Sequence, residues 1–468
     1  MSYPRLMRTA PAPRPGIVHL GPGAFFRAFN APFTQDAMDA SGGDWGIIAV
    51  ALRSGTARNQ LKPQGCAYTA IALTAEGLEH RVINAISDIL VASEDPEAIL
   101  QQMADPHIRI VSLTITEKGY PANAQGELAL EDPEIARDLA RSEAPRSAIG
   151  YIVAALDRRR RAGLRPFTIL PCDNLPDNGA LIRRLVLDFA AEQDPDLANW
   201  IAREARFPAT MVDRIAPATT PADIAALADA TGMQDAACVV HEPFRQWVIE
   251  DNFVDGARPD WAAAGAEMAG SVHLHEAMKL RCLNGSHSAL AYLGYLAGHE
   301  TVFDAVSDPA LAEFCKRLWQ VEIVPTLAAP EGTDLMAYCV DLMTRFRNPS
   351  IQHRTWQIAM DGSKKLPQRL LGTAADNLGA GRDIDCVATA VAAWMIYVGG
   401  ADLSGQLIDV RDPQATALRQ AHDGPDPVEA ILAFDNIFAS DLAASDMFHS
   451  KVAHAYQTIR EHGVHAAL

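Results

Sequence analysis

An α/β N-terminal domain built on a parallel sheet, followed by a mainly α-helical C-terminal domain, is the fold class that this 468-residue sequence predicts. Three observations predict it. Short β-rich runs alternate with helical stretches as far as about residue 270, the pattern of βαβ units. From residue 271 onward helical periodicities dominate and strand-like runs are few. The length, at roughly 150 residues per domain, calls for two or three domains, each able to bury its own core. The expected division is 1–270 and 271–468.

Residues 17–20 read as a buried strand, followed by a Gly-rich turn and an amphipathic helix over about 24–40. Further strands are expected at 46–50, 108–116 and 167–171, the last preceded by a helix over about 147–162. The β-branched stretches 67–73 and 81–90 offer additional strands for the same sheet. In the second domain the periodicity predicts helices at 274–297, 308–325, 333–346, 385–399, 412–421 and 427–440. No internal repeat or low-complexity tract interrupts this order.

Lys and Arg total 40 against 58 Asp and Glu, a formal charge of −18. Such a chain is repelled by nucleic acid and by anionic membranes, so a small-molecule partner is expected, bound by a monomer or small homo-oligomer. An anionic substrate would need a local cationic cluster. The best candidate for a membrane span, the uncharged run 386–401, falls short of the roughly 20 apolar residues that span a bilayer and reads as a buried core helix. The first 16 residues are rich in Pro and Arg and lack the apolar core of a secretory signal. The seven cysteines are scattered, odd in number and form no CxxC pair, which points to reduced thiols, a cytoplasmic setting and no metal centre.

The first strand runs straight into Gly21-Pro22-Gly23-Ala24-Phe25-Phe26-Arg27. A strand, then G-x-G, then a helix begins a dinucleotide fingerprint. Gly21 permits the tight turn, and Gly23 lets the backbone approach a pyrophosphate at the helix start. Phe26 stands where the third glycine is usual, and a bland strand–turn–helix gives the same pattern. Its position on the first strand of an α/β domain favours a Rossmann-type reading. After the second strand the chain carries Arg53, where an acid would bind the 2′-hydroxyl of NAD. Arg53 suits the 2′-phosphate of NADP, the adenine face, or plain solvation, so the choice between NAD(H) and NADP(H) stays open at this point.

The stretch from Glu276 to His287 is richest in chemistry. At about 100° per residue, and with Lys279 at zero, Glu276 falls near 60°, His287 near 80° and Asn284 near 140°. Four polar groups thus share one broad face, with Leu280 and Leu283 between them. Desolvation there favours the neutral amine that a general base needs, and Asn284 can donate to a carbonyl or alkoxide oxygen. A polar network at the core edge gives the same pattern. A second cluster, Cys172-Asp173-Asn174-Leu175-Pro176-Asp177-Asn178-Gly179, follows the fourth strand, where α/β sheets bind ligands, although these residues also make ordinary turns. A third, around Arg354 and Lys364-Lys365, gathers positive charge in an acidic chain, either as a solvated face or as an anion site.

Together these stretches resemble the polyol-specific long-chain dehydrogenases of the mannitol dehydrogenase family. The likeness covers nearly the whole chain. It rests on the loop from Gly21 to Arg27, on Leu113-Thr-Ile-Thr-Glu117-x-Gly119-Tyr120 and on the Cys172 to Gly179 motif. It continues through Met211-Val-Asp213-Arg214-Ile-x-Pro217, Glu242-Pro-Phe-x-Gln-Trp247-Val and Lys279-x-Arg281-x-x-Asn284-x-Ser286-His287. The resemblance implies metal-independent hydride transfer between NAD(H) and a sugar-derived ketone or secondary alcohol, with Gly21, Gly23, Phe25, Arg27, Arg53 and Asp213 toward the cofactor. It implies Lys279 as general acid/base, Asn174 and Asn284 as donors to the carbonyl oxygen, His287 as the substrate-orienting group and Glu276 as a proton relay. The run from Gln352 to Arg369 is more similar to the fructuronate reductase branch, and Gln357 stands where mannitol enzymes carry an arginine. That branch implies interconversion of D-fructuronate and D-mannonate with Arg354 and Lys365 on the carboxylate. A mannitol or arabitol dehydrogenase is the alternative.

Overall fold

Strand β1 (Pro15–Leu20) sends Ile17 into one buried apolar cluster and Val18 and Leu20 into another. The next strand, β2 (Gly46–Ala51), repeats the alternation, with Ile47 and Ala49 on the first side and Ile48 and Val50 on the second. A sheet covered on both faces must be apolar on both, as parallel sheets are. The computed structural model describes residues 3–75, 77–123, 125–141 and 143–468. The chain forms two compact units, one ending at His273 and the other spanning Leu274–Leu468.

In the first unit a hairpin of β3 (Tyr68–Thr74) and β4 (Gly77–Ile83) precedes β5 (Ile86–Val91), β6 (Ile110–Leu113) and β7 (Thr168–Pro171). The main sheet has the order β5-β2-β1-β6-β7 with every neighbour parallel. Counting only its own strands, this is 3-2-1-4-5, and the direction of winding reverses between β1 and β6. Such a switch point opens a crevice at the carboxyl ends of the strands. Helix Ala148–Arg161 covers one face with Ile149, Ile152, Val153 and Leu156, and Ser147 caps it by accepting from the Gly150 N–H at 3.0 Å. Phe26, Phe29, Phe33, Trp247 and Trp261 fill the other face.

Several expectations are corrected. Of the added strands, only β5 joins the parallel sheet. β3 pairs with β4 antiparallel and with β9 (Val239–His241) in parallel, because β4 is exposed along almost its whole length and cannot serve as an interior strand. A third sheet, β11-β10-β8, is formed by β8 (Thr210–Asp213), β10 (Gln246–Glu250) and β11 (Glu267–Ala269), none of which the sequence singles out as a strand. The helix over 24–40 breaks at Phe29, giving Ala24–Ala28 and Asn30–Ser41. The break puts Pro32 in a first turn, where its missing N–H costs nothing. The carbonyls freed there accept other donors, Arg27 from the Tyr68 hydroxyl at 2.6 Å and Ala28 from Arg214 at 2.7 Å.

In the second unit the helix Asp385–Val398, uncharged after its first residue, is buried from Cys386 onward on every side, with helices Ser286–Leu296 and Asp446–His462 packed against it. It is the core helix expected from 385–399. The final helix Asp446–His462 was not predicted, and the one expected over 427–440 ends at Leu432. Among the described residues no helix is long and apolar enough to cross a membrane.

Candidate active site

The turn after β1 sits at the switch point. Gly21 has φ +94°, and a Cβ there would lie 2.2 Å from the carbonyl oxygen of Thr114, so only glycine fits. The Gly23 N–H donates back to the Gly21 carbonyl at 2.7 Å, a tight turn centred on Pro22. At Gly23 the nearest atom to an added Cβ is 4.0 Å away, so its face is open. Phe26 stacks on the buried His19 ring at 3.7 Å and fills the place of the third glycine. His19 bridges Ser112 (2.8 Å) and Thr114 (2.9 Å), and burial lowers its pKa to about 3, so it stays neutral.

Around this turn lies a groove of about 350 Å³, lined by Gly21, Gly23, Arg27, Arg53 and Thr114 to Thr116 among others. An open glycine face at a switch point, with a groove beside it, fits a dinucleotide. Arg53 stands at the rim, mostly exposed and paired with Glu134 at 3.2 Å. Arg27 is buried and donates to the Ala237 carbonyl at 2.6 Å, so it braces the loop as well as lining it. Phe25 stacks on Phe29, and Asp213 is buried at the end of β8 opposite Gln246.

Asn174 follows β7 in a second tight turn. The carbonyl of Asp173 accepts from the Leu175 N–H at 2.8 Å and from the Asn178 amide at 3.0 Å, closing a three-residue turn centred on Asn174. Asn178 also exchanges hydrogen bonds with the Thr210 backbone at 2.8 and 3.0 Å. The exposed Asn174 is therefore presented by an anchored backbone. The sequence shows the turn residues here but not the helix Asn178–Gln193 that they open.

In the second unit, half-buried Glu276 lies on the short helix His273–Met278, directly before a π-helical turn, Lys279–Gly285. This corrects the uniform α-helical geometry. Bonds of the i→i+5 kind widen each turn by nearly one residue, so side chains five apart stand about 50° apart around the axis instead of about 140°. Lys279 and Asn284 are five apart. The turn thus brings the buried lysine and the half-buried amide onto one face more closely than an α-helix would. Its Cys282 carbonyl is held by the Ser286 hydroxyl (2.6 Å) and the Trp319 indole (2.8 Å). Gly285 packs tightly enough that a Cβ would lie 2.7 Å from the Arg369 carbonyl oxygen. Gly285→Ala is expected to destabilise the protein by about 1–3 kcal/mol and to lower kcat by shifting Asn284. A thermal melt and turnover both at parental values would contradict that close approach.

His287, two turns beyond Lys279, is buried and stacks on Phe346 at 4.5 Å, with His353 edge-on at 5.6 Å. Burial, aided by His353, Arg345 and Arg369, holds its pKa well below the ordinary range, so it acts as a neutral imidazole. His353 is lowered to about 4 by burial and by nearby Lys365. Lys365 donates to the Met360 carbonyl at 2.6 Å, and Arg369 to the Ser288 hydroxyl at 3.1 Å. Arg354 is half exposed and ion-paired with Glu300. The positive field around His287 and His353 therefore comes from Arg345, Lys365 and Arg369. No local sequence pattern marks Arg345 and Arg369, which lie on separate elements brought together only by the fold.

The family models of the mannitol dehydrogenase Rossmann domain and C-terminal domain match residues 15–263 and 271–460. This chain belongs to the mannitol dehydrogenase family. As a member it is an NAD-dependent oxidoreductase of secondary alcohols. It is 48% identical to the D-mannonate oxidoreductase of Escherichia coli K12, over 96% of this chain and 93% of that one. Mannitol 2-dehydrogenase from Phaeosphaeria nodorum is 38% identical, over 97% and 80% respectively. Among solved structures, Pseudomonas fluorescens mannitol 2-dehydrogenase, in a ternary complex with NAD and D-mannitol, superposes with a TM-score of 0.85 at 38% identity, covering 97% of this chain and 94% of that one. The Rossmann-type fold with a mainly helical second domain is thereby borne out. Among the described residues, no group of three His, Cys, Asp or Glu side chains is arranged to hold a metal ion.

Proposed function

We propose that this family member interconverts D-fructuronate and D-mannonate, using NAD(H) and no metal. The observation that carries the reading is the cationic cluster of Arg345, Lys365 and Arg369 about His287 and His353 in a chain of net charge −18. A neutral polyol needs no such field, whereas a hexuronate carboxylate does. The identity to E. coli D-mannonate oxidoreductase supports it, as does Gln357 in place of the mannitol branch's arginine. Lys365 takes the carboxylate, and Arg354, already engaged by Glu300, adds attraction from the exposed side.

Gly21, Gly23, Phe25, Arg27, Arg53 and Asp213 would hold NAD(H), which would supply or accept the hydride at the reacting carbon. Lys279 gives its proton to the carbonyl oxygen during reduction and, as the neutral amine, removes the hydroxyl proton during oxidation. Asn174 and Asn284 donate to that oxygen as it gains negative charge. Neutral His287 orients the sugar hydroxyls, and Glu276 passes the lysine's proton toward water.

The likeness to P. fluorescens mannitol 2-dehydrogenase favours a second reading, oxidation of mannitol or a related polyol such as arabitol. NADH oxidation by the purified protein, with chelator throughout, separates the two. Turnover of D-fructuronate with a kcat/KM at least about 100-fold above that of D-fructose is expected, the size of a lost charged contact. Preference for fructose would overturn the hexuronate reading.

A further inference from the structure

Thr116 stands out in the groove wall. Its φ is +62° and its ψ +167°, in a region that β-branched residues rarely occupy. Such a conformation persists only where its surroundings over-determine it, and it marks positions where geometry matters. Here the Thr116 carbonyl accepts the Gly119 N–H at 2.9 Å, and the Thr116 N–H is held by one side chain. The Asp173 carboxylate accepts the Thr116 N–H at 2.7 Å on one oxygen, and the Ile115 N–H at 3.0 Å and the Tyr120 hydroxyl at 2.8 Å on the other. Asp173 is 8% exposed, so these three donors replace its water. The same residue's carbonyl anchors the turn that carries Asn174. At the far end of the loop, the Thr114 hydroxyl donates to the Gly21 carbonyl at 2.7 Å.

We propose that Asp173 is a positioning residue that clamps the Thr114–Thr116 loop in its strained form, so that one carboxylate sets both the wall of the dinucleotide groove and the turn presenting Asn174. This rests on the reading that the groove holds NAD(H). Asp173→Asn keeps the shape but turns an NH2 toward backbone N–H donors. Thr116 then relaxes to negative φ and the wall moves.

The test is NADH affinity, measured by fluorescence titration without substrate, together with KM for each substrate, kcat and a cofactor-free thermal melt. Asp173→Asn should raise Kd and KM for NADH at least about tenfold, the size of a lost charge-assisted bond, with a smaller change in KM for the sugar. Glycine adopts φ +62° freely, so Thr116→Gly in the Asp173→Asn background should return the NADH Kd to within about threefold of the parent. A purely structural role for Asp173 would not be rescued there. An unchanged Kd in Asp173→Asn, or no rescue by Thr116→Gly, overturns the clamp. Should Asp173→Asn not fold, Tyr120→Phe removes one donor and leaves the carboxylate, and it should raise the NADH Kd about threefold. An unchanged value there overturns the proposal equally. Gly23→Val controls for the groove: binding that survives it refutes the cofactor site itself, whereas lost binding beside an unaffected Asp173→Asn refutes only the clamp.

Discussion

Lys279→Ala is expected to lower kcat by roughly 10³–10⁴-fold while leaving NADH affinity within about threefold of the parent. At 1.36 kcal/mol per decade, that loss is about 4–5.5 kcal/mol of transition-state stabilisation, at the upper end of what one positioned acid/base supplies. The upper end is appropriate because the lysine is buried, which limits how readily bulk solvent can stand in for it. The π-helical turn adds to this, since it brings Lys279 and Asn284 toward one face, and the proposed mechanism has both act on one oxygen. Removing the lysine leaves the amide polarising a carbonyl that has no proton to receive. Small primary amines added to the Lys279→Ala variant should restore part of the activity, in proportion to their basicity, because they refill the space with the missing group. A loss below about 30-fold, or no dependence on added amine, would remove Lys279 from the general acid/base role.

How much of this was legible in the sequence depends on the range of the interactions involved. The parallel sheet was legible because strand-like runs alternate with helical stretches, and the structure bears this out in Ile17, Val18 and Leu20 and in Ile47 to Val50, whose apolar side chains reach both covered faces. The Gly21 turn was legible because a positive φ beside a neighbouring carbonyl admits only glycine. The break at Phe29 follows from Pro32, but its exact place depends on Tyr68 of β3 and on Arg214, just after β8, reaching back from distant parts of the chain. The π-helical turn was not legible. Lys279 to Gly285 reads as ordinary helix, and what holds its Cys282 carbonyl is the Trp319 indole, far along the chain. The fate of Arg354 was hidden in the same way, since its pairing with Glu300 is set by tertiary contact and not by the charge run in which it lies. The local groups of the candidate site were thus readable, while their geometry came from partners far away in sequence.

Lys365→Met should separate the two substrate readings more sharply than any change to the acid/base machinery. Methionine keeps most of the apolar stem and removes the charge, so little changes beyond the lost bonds to the Ile358 and Met360 carbonyls. Breaking a desolvated charge pair costs about 2–5 kcal/mol, and kcat/KM for D-fructuronate should therefore fall by roughly 30- to 5000-fold. The slower reaction with neutral D-fructose should change by no more than about threefold, because fructose carries no carboxylate for the ammonium to meet. Arg354→Ala is the internal control. Its guanidinium is already neutralised by Glu300 and half exposed, so its removal should cost less than about 1 kcal/mol. His353 supplies an independent readout. Its pKa is held near 4 by burial and then by Lys365, so losing the lysine should let it rise, visible as an upfield-shifting imidazole titration at higher pH. An equal loss with fructuronate and fructose would mean that Lys365 serves the site's shape and not the carboxylate. The cationic field of Arg345, Lys365 and Arg369 would then favour the polyol reading, with the charges holding backbone carbonyls and hydroxyls in place.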